Sequence, residues 1–392
     1  MRTIVTTVAA LLVVSGAFAQ NGVERVLRSV EENSVTLRAR RELTGAQVLE
    51  ARSSNNLGNP TVSYDQLWGT PSEVGRSGEI NVAQPFDFPT VYANRSKMNR
   101  LLERQYGHEY AVFRRQVLLQ AQEACIAIVA QRRLKALADE KVKNAERLAA
   151  LYAVRSETGD ANILEQNKVN LELVAARNAA RLVDMDLAAL ESQLVNLNGG
   201  VSVDFPDTEY PPLSLLQPLD SMLVFYREND PQLLAFRTGV EAAEQDVKLS
   251  KAQSLPSFEV GYRREFAAGE HSDGFTVGMS VPLFESRGRV KRARAQAQFA
   301  RTQLESGRID VETTLRQLYD KAAQLEHSLR EYGNALAPDR NLELLDKALR
   351  VGQVSVVDYF TELSTVYQVR EALITTERDY RVVRARIEMI GL

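Results

Sequence analysis

The chain has 392 residues, enough for one large core or two units, and its 48 basic residues stand against 51 acidic ones, a formal charge of −3. That balance excludes a general nucleic-acid binder, which needs a basic surface. A single cysteine excludes an internal disulfide framework, His108, His271 and His327 are dispersed, and no GxSxG, P-loop or HExxH motif occurs, so neither an enzyme nor a metal or cofactor site is expected.

The chain opens with "MRTIVTTVAALLVVSGAFAQ", in which Arg2 precedes an apolar stretch to Val14 and small residues precede Gln20. This reads as a secretory signal peptide over residues 1–19, cleaved between Ala19 and Gln20. A retained membrane anchor is the competing reading, weakened by the short run and by Thr6, Thr7 and Ser15. No cysteine follows the cleavage point to carry a lipid anchor, and no later segment has eighteen apolar residues in a row.

The remainder is written twice. Pro60 in "NPTVSY" matches Pro256 in "LPSFEVGY" at an offset of 196, and the same offset sets Asn33 on Asn229 and Leu37 on Leu233. Pro85 matches Pro282 at 197, and Gly159 matches Gly352 at 193. With that last offset, Leu173, Ala176, Ala180, Val183, Leu187, Leu190, Leu194 and Leu197 fall on Val366, Val369, Leu373, Thr376, Tyr380, Val383, Ile387 and Ile390. Seven of the eight are apolar again, so both segments carry one heptad seam. The expected organisation is a first repeat over 20–199, a proline-rich linker over 200–228, and a second repeat over 229–392.

Each repeat opens with a helical piece; in the second, Asp230 suits its cap, Pro231 its first turn, and Pro256 its end. A strand pair follows, within 59–88 and within 256–284. Val62, Tyr64, Ile80 and Val82 in the first pair alternate with small or polar residues, as do Phe258, Val260, Tyr262, Phe275, Val277, Met279 and Val281 in the second. The turn-rich stretches 65–78 and 263–274 read as connections. Tyr64, Trp68, Phe86, Tyr262, Phe266 and Phe284 suit aromatic belts at a membrane interface, though ordinary packing explains each equally well.

Next comes a long helix, from about Ala93 to Ser156 and again from about Arg287 towards Arg350, with a kink or break predicted near Pro338. About 60 residues at ~1.5 Å each make a rod of roughly 90 Å. Cys125, in "EACIAIVA", reads as a small packing residue. Each rod then meets a glycine, Gly159 in "TGDANILEQN" and Gly352 in "VGQVSVVDYF". These read as hairpin tips near 159 and 352 rather than local kinks. Glycine takes the left-handed backbone that ends a helix, and Asn162 or Ser355 can cap the return helix.

The fold class is therefore mainly α with a small β part. Four amphipathic strands cannot seal a barrel, which needs about eight. A soluble sheet packed on helices is the ordinary reading, but strand pairs so far apart in the chain, flanked by rods, leave no small core to hold both. Strands pooled from several chains solve the problem. Eight would be filled by their own side chains, so a conducting pore favours twelve strands from three chains.

Two segments carry a family resemblance: "LPSFEVGY…FTVGMSVPLFESRGRVKRARAQ" and "ALRVGQVSVVDYFTELSTVYQVREALITTERDYRVVRARIEMIG". With their weaker first copies they resemble the TolC-like outer-membrane efflux proteins, or outer membrane factors, over essentially the whole chain after the signal. The resemblance implies a homotrimer whose twelve-stranded barrel sits in outer-membrane lipid of a Gram-negative bacterium, continued by an α-helical barrel through the periplasm. It implies a periplasmic adaptor (a membrane fusion protein), an inner-membrane transporter of the RND or ABC type, no nucleic acid, and passive conduction of cargo to the exterior. It also places a periplasmic gate at the inward-facing tips. Asp358 matches a position where relatives set a constricting acidic ring, Thr361 stands where a second aspartate is common, and Glu362 is adjacent. The plain alternative is an exposed helical aspartate without such a role. Adaptor docking is expected at Arg155, Thr158 and Gly159 and at Val351, Gly352 and Ser355, all of which read equally as turn and cap residues. Two other functions compete. A non-conducting periplasmic scaffold or adaptor should carry a compact β-rich module, and none is visible. A secreted coiled-coil protein would not need duplicated strands.

Overall fold

A computed structural model describes residues 22–68, 75–159, 161–267, 269–282, 284, 286–336 and 341–392. The signal segment with Ala19 and Gln20, and the break expected at Pro338, lie outside the described residues.

The elements in chain order are α1 (Gly22–Asn33), α2 (Val35–Ser53), β1 (Thr61–Trp68), β2 (Arg76–Phe86), α3 (Pro89–Glu157), α4 (Ile163–Leu197), α5 (Leu219–Asn229), α6 (Pro231–Ala252), β3 (Ser257–Ala267), β4 (Glu270–Ser280), α7 (Arg289–Leu336), α8 (Asn341–Arg350) and α9 (Val356–Glu388). A short 3₁₀ turn, Met389–Gly391, follows. No proline interrupts α3 after its first residue. Pro89 occupies the first helical turn, where a missing N–H costs nothing, so the helix starts four residues before the expected Ala93.

The chain forms two compact units, one from residues up to Ser34, 120–214 and 336–378, the other from 35–119, 215–335 and 379–392. In the first unit, parts of α3, α4, α8 and α9 bury Leu148, Tyr152, Val169, Leu349, Val356 and Tyr359. Burying each such side chain contributes about 1.5–3 kcal/mol of transfer free energy. Along α4 no member of the seam from Leu173 to Leu197 is exposed, whereas Leu164, Leu171, Val174, Leu182 and Met185 stand exposed.

In the second unit, Leu223, Tyr226, Leu315, Ala322, Val383 and Ile387 form one core, and Val91, Leu249 and Ala252 with Phe88 form another. Leu223 and Tyr226 belong to α5, a helix inside the stretch read as a linker; the Tyr226 hydroxyl donates to the Ile387 carbonyl at 2.8 Å. Asp230 caps α6 by accepting from the Gln232 and Leu233 amides, as its position before Pro231 predicts. Its second partner is Arg115, more than a hundred residues earlier in the chain, whose guanidinium reaches it at 2.5 Å.

The sheet of the second unit is antiparallel in the order β1-β2-β3-β4. Its strands run longer than the apolar alternation suggested. Much of 65–78 and 263–274, read as connections, is paired strand, and β3 and β4 are joined by residues 268 and 269 alone. The reason is chemical: beyond the apolar segment the pairing continues through polar residues that look like turn formers. Arg263 meets Glu79 at 2.8 Å across β2 and β3, and Tyr262 donates to Asp273 at 2.7 Å. Gly261 is required, because a Cβ there would lie 2.5 Å from Thr276 Oγ1 and 2.9 Å from the Val82 carbonyl.

Candidate functional site

The register divides the sheet into two faces. On one, Val62, Val82, Tyr262 and Phe275 form a lateral row, with Gln84–Val260–Val277 and Phe86–Phe258–Met279 beside it. These side chains are not a core: Phe275 is 87% exposed, Val277 78% and Val62 72%. So wide an exposed apolar surface needs a membrane or another chain to cover it. The opposite face repeats the rows Thr61–Ala83–Gly261–Thr276 and Ser63–Asn81–Arg263–Gly274. It carries Asp65, Glu79, Glu259, Glu265 and Glu270 against Arg263, five acids and one base, hence −4 per chain. β1 and β4 end the sheet, so within the chain each has an open edge. Open edges cannot persist in hydrocarbon, where every backbone N–H and C=O must be paired.

The two tips lie in the first unit. α3 ends at Glu157; the Thr158 amide donates to the Val154 carbonyl, and Gly159 takes φ +78°. Asn162 then opens α4 with a capping box, accepting from the Leu164 amide at 3.0 Å while Glu165 accepts from the Asn162 amide. Arg155 stacks over Tyr152. At the second tip the amides of Gly352 and Gln353 donate to the carbonyls of Leu349 and Ala348, and Gly352 takes φ +73°. This is the paired bonding that ends helices on a left-handed glycine. Val351 and Gly352 are exposed.

Asp358, Thr361 and Glu362, the residues expected at a gate, share the first two turns of α9 and are all exposed in the single chain. Asp358 also has a local duty. Its amide donates to Ser355 Oγ at 3.1 Å, and that hydroxyl donates to the Asp358 carboxylate at 2.7 Å, so the two residues are tied together at the helix start. Thr361 Oγ1 donates back to the Val357 carbonyl.

Beside these residues is a polar network that the sequence reading missed. The hydroxyl of Tyr359, 1% exposed, donates to Asp346 at 2.7 Å and accepts from Asn144 Nδ2 at 3.2 Å. Arg147 donates to Asp346 at 2.7 Å and to Asn144 Oδ1 at 2.6 Å. Burial raises the Tyr359 phenol, so it remains a donor at neutral pH. Further along the same helices Glu140 pairs with Arg370 at 2.7 Å, Lys141 with Glu371, and Arg133 with Glu377 at 2.5 Å. The network joins α3 to α8 and α9. Its members are separated by about half the chain, so no local periodicity announces it.

Among the described residues no group of three or more His, Cys, Asp or Glu is placed to hold a metal ion, and no helix is long and apolar enough to cross a membrane.

The sequence pattern of the family described as "Outer membrane efflux protein" matches residues 225–390. No curated protein matches the chain significantly. Among solved structures, a membrane protein from Pseudomonas aeruginosa superposes with a TM-score of 0.75 at 18% identity, over 94% of this chain and 90% of that one. The outer membrane protein VceC from Vibrio cholerae gives 0.76 at 14% identity, over 94% and 96%. The Campylobacter jejuni CmeC outer membrane channel gives 0.75 at 13% identity, over 94% and 85%. The second half thus carries the sequence pattern of the outer membrane efflux protein family, and the fold of the chain is similar to that of these outer membrane proteins.

Proposed function

We propose that three copies pool their sheets into a twelve-stranded barrel in the outer membrane, and that their helical hairpins continue the duct into the periplasm. Cargo passes passively from a periplasmic adaptor and an inner-membrane transporter of the RND or ABC type to the exterior. The observation that carries this reading is the sheet itself: one face apolar and exposed, the other acidic, and both edge strands open. Lipid covers the first face, water fills the space behind the second, and neighbouring copies pair the edges. Extraction tests it: the protein leaves the outer-membrane fraction only with detergent and as a trimer, and a monomer soluble without detergent refutes the duct.

At the tips, Asp358, Thr361 and Glu362 form the gate, and Arg155, Thr158, Gly159, Val351, Gly352 and Ser355 meet the adaptor. Three Asp358 carboxylates around a narrow opening focus a negative potential. Asp358→Asn removes that charge yet keeps a side-chain oxygen for Ser355. Cation preference in planar-bilayer conductance therefore falls while the tip stays folded; unchanged selectivity removes Asp358 from the gate.

A further inference from the structure

In the second unit each long helix packs on the helix that precedes its own strand pair. In the first repeat Glu103 of α3 meets Arg52 of α2 at 2.8 Å, and the Tyr110 hydroxyl accepts from Arg41 at 3.2 Å. In the second repeat Arg301 of α7 meets Glu244 of α6 at 2.6 Å, and a Cβ on Gly307 would lie 2.4 Å from the Phe236 ring. An offset of 196 carries α2 onto α6, and 197 carries α3 onto α7. The second offset sets buried Leu118 on buried Leu315, and buried Cys125 on buried Ala322.

α3 also makes a contact that crosses between the repeats, with α6. Arg104 meets Glu241 at 3.2 Å, Gln245 donates to the Asn94 side chain at 2.9 Å, and Arg115 meets Asp230. Gln105 lies beside Gly239, where a Cβ would stand 3.8 Å from its Oε1. Numbers fall along α6 as they rise along α3, so the two helices are antiparallel. The packing order is α2, α3, α6, α7, and the outer flanks of α2 and α7 are left over.

Those flanks are second copies of the two surfaces that meet inside the chain. On α3, Asn94, Met98, Gln105, His108 and Val112 are all at least partly covered, while their counterparts Lys291, Ala295, Thr302, Glu305 and Ile309 are all exposed. On α6, Thr238, Gln245 and Leu249 are buried, while their counterparts Glu42, Leu49 and Ser53 are exposed. Leu49 is 66% exposed and Ile309 59%. The strands repeat the pattern. β2, which leads into α3, pairs with β3, which follows α6; the open strands are β1, which follows α2, and β4, which leads into α7.

We propose that α7 of one copy packs antiparallel on α2 of the next, reproducing between chains the α3–α6 contact made within each. Thr302 then lies against Leu43 as Gln105 lies against Gly239, and Lys291 against Leu49 as Asn94 lies against Gln245. A surface and its displaced mate on one chain make a head-to-tail joint, which closes into a ring when the rotation allows. A repeat whose face is bare until the next repeat covers it supplies the driving force. The count of three copies rests on the trimer reading above; the residues of the joint are what this inference adds to it.

Disulfide crosslinking of the full chain in detergent tests the joint, with Cys125 buried and silent. Under mild oxidation L43C/T302C gives covalent dimers and trimers on a non-reducing denaturing gel. Q105C/G239C closes within the chain and runs as a monomer. R41C/T302C stays unlinked, because Arg41 is turned towards Tyr110 of its own chain. A second measurement needs no bridge. Leu49→Arg sets a like charge against Lys291 of the neighbouring copy, and Leu49→Glu an opposite one, so the oligomer recovered with arginine is at least about tenfold lower than with glutamate. Equal recovery of the two overturns the proposal. An assembled oligomer in which L43C/T302C stays unlinked also overturns it and leaves the trimer standing, whereas a chain that never assembles overturns both.

Discussion

Replacing Phe275 with arginine tests which face of the sheet meets lipid. Phe275 lies at the middle of β4, in the row Val62–Val82–Tyr262–Phe275, with its ring edge-on to Tyr262 at 6.1 Å. An arginine near the centre of a membrane barrel costs about 2–4 kcal/mol, and losing the apolar contact of a phenylalanine costs a further ~1.5–3 kcal/mol. The sum, about 3.5–7 kcal/mol per chain, is a factor of at least ~300 in the insertion equilibrium. Gly274, one residue earlier, faces the other way beside Arg263, and a Cβ there meets nothing within 4 Å. That face carries −4 per chain, so Gly274→Arg costs under ~1 kcal/mol. The assay is the amount of heat-modifiable oligomer recovered from the outer-membrane fraction. Gly274→Arg accumulates near the unaltered level, and Phe275→Arg is almost absent. Equal recovery of the two would refute the assignment of the faces.

Arg115→Met leaves Asp230, 1% exposed, without its counter-charge while its capping bonds to Gln232 and Leu233 remain. Thermal unfolding should report a loss of about 3 kcal/mol, and a loss below ~1 kcal/mol would show the ion pair to be incidental. Cys125 is buried, and desolvation pushes its thiol up to about 12. A raised folded value means that the neutral thiol's contribution is fully present below the unfolded value near ~8.5 and is lost as pH climbs towards 12. Stability should therefore decline across that alkaline window. At about pH 8, iodoacetamide should label Cys125 only after denaturation; fast labelling of the folded chain would contradict its burial.

What the sequence disclosed depended on the range of the interaction. The α4 seam, the glycine tips and the caps at Asn162 and Asp230 arise from residues within one or two turns of each other, so spacing reveals them. The inner ends of the strands, from Val62 to Tyr64 and from Phe275 to Met279, were legible because one face is apolar. Their outer ends, such as Arg263–Glu265, were not: charge pairs across strands replace apolar alternation there, and polar residues imitate a loop. The helix α5 was hidden by the prolines around it. The Asn144–Arg147–Asp346–Tyr359 network was invisible because its partners meet only after the hairpins have formed. Asp358 was singled out through the family resemblance, while its bond to Ser355, legible in the Ser-x-x-Asp spacing, went unremarked.

The open edges of β1 and β4 have a genetic consequence. A ring closed from three chains has three joints, each using one edge of every member. A chain damaged at one edge still offers a sound partner at the other, so it enters rings and spoils them. When sound and damaged chains are made in equal amounts and mix at random, only about one ring in eight escapes. Lesions confined to an edge strand should therefore behave as dominant, whereas lesions that prevent a chain from folding at all should be recessive.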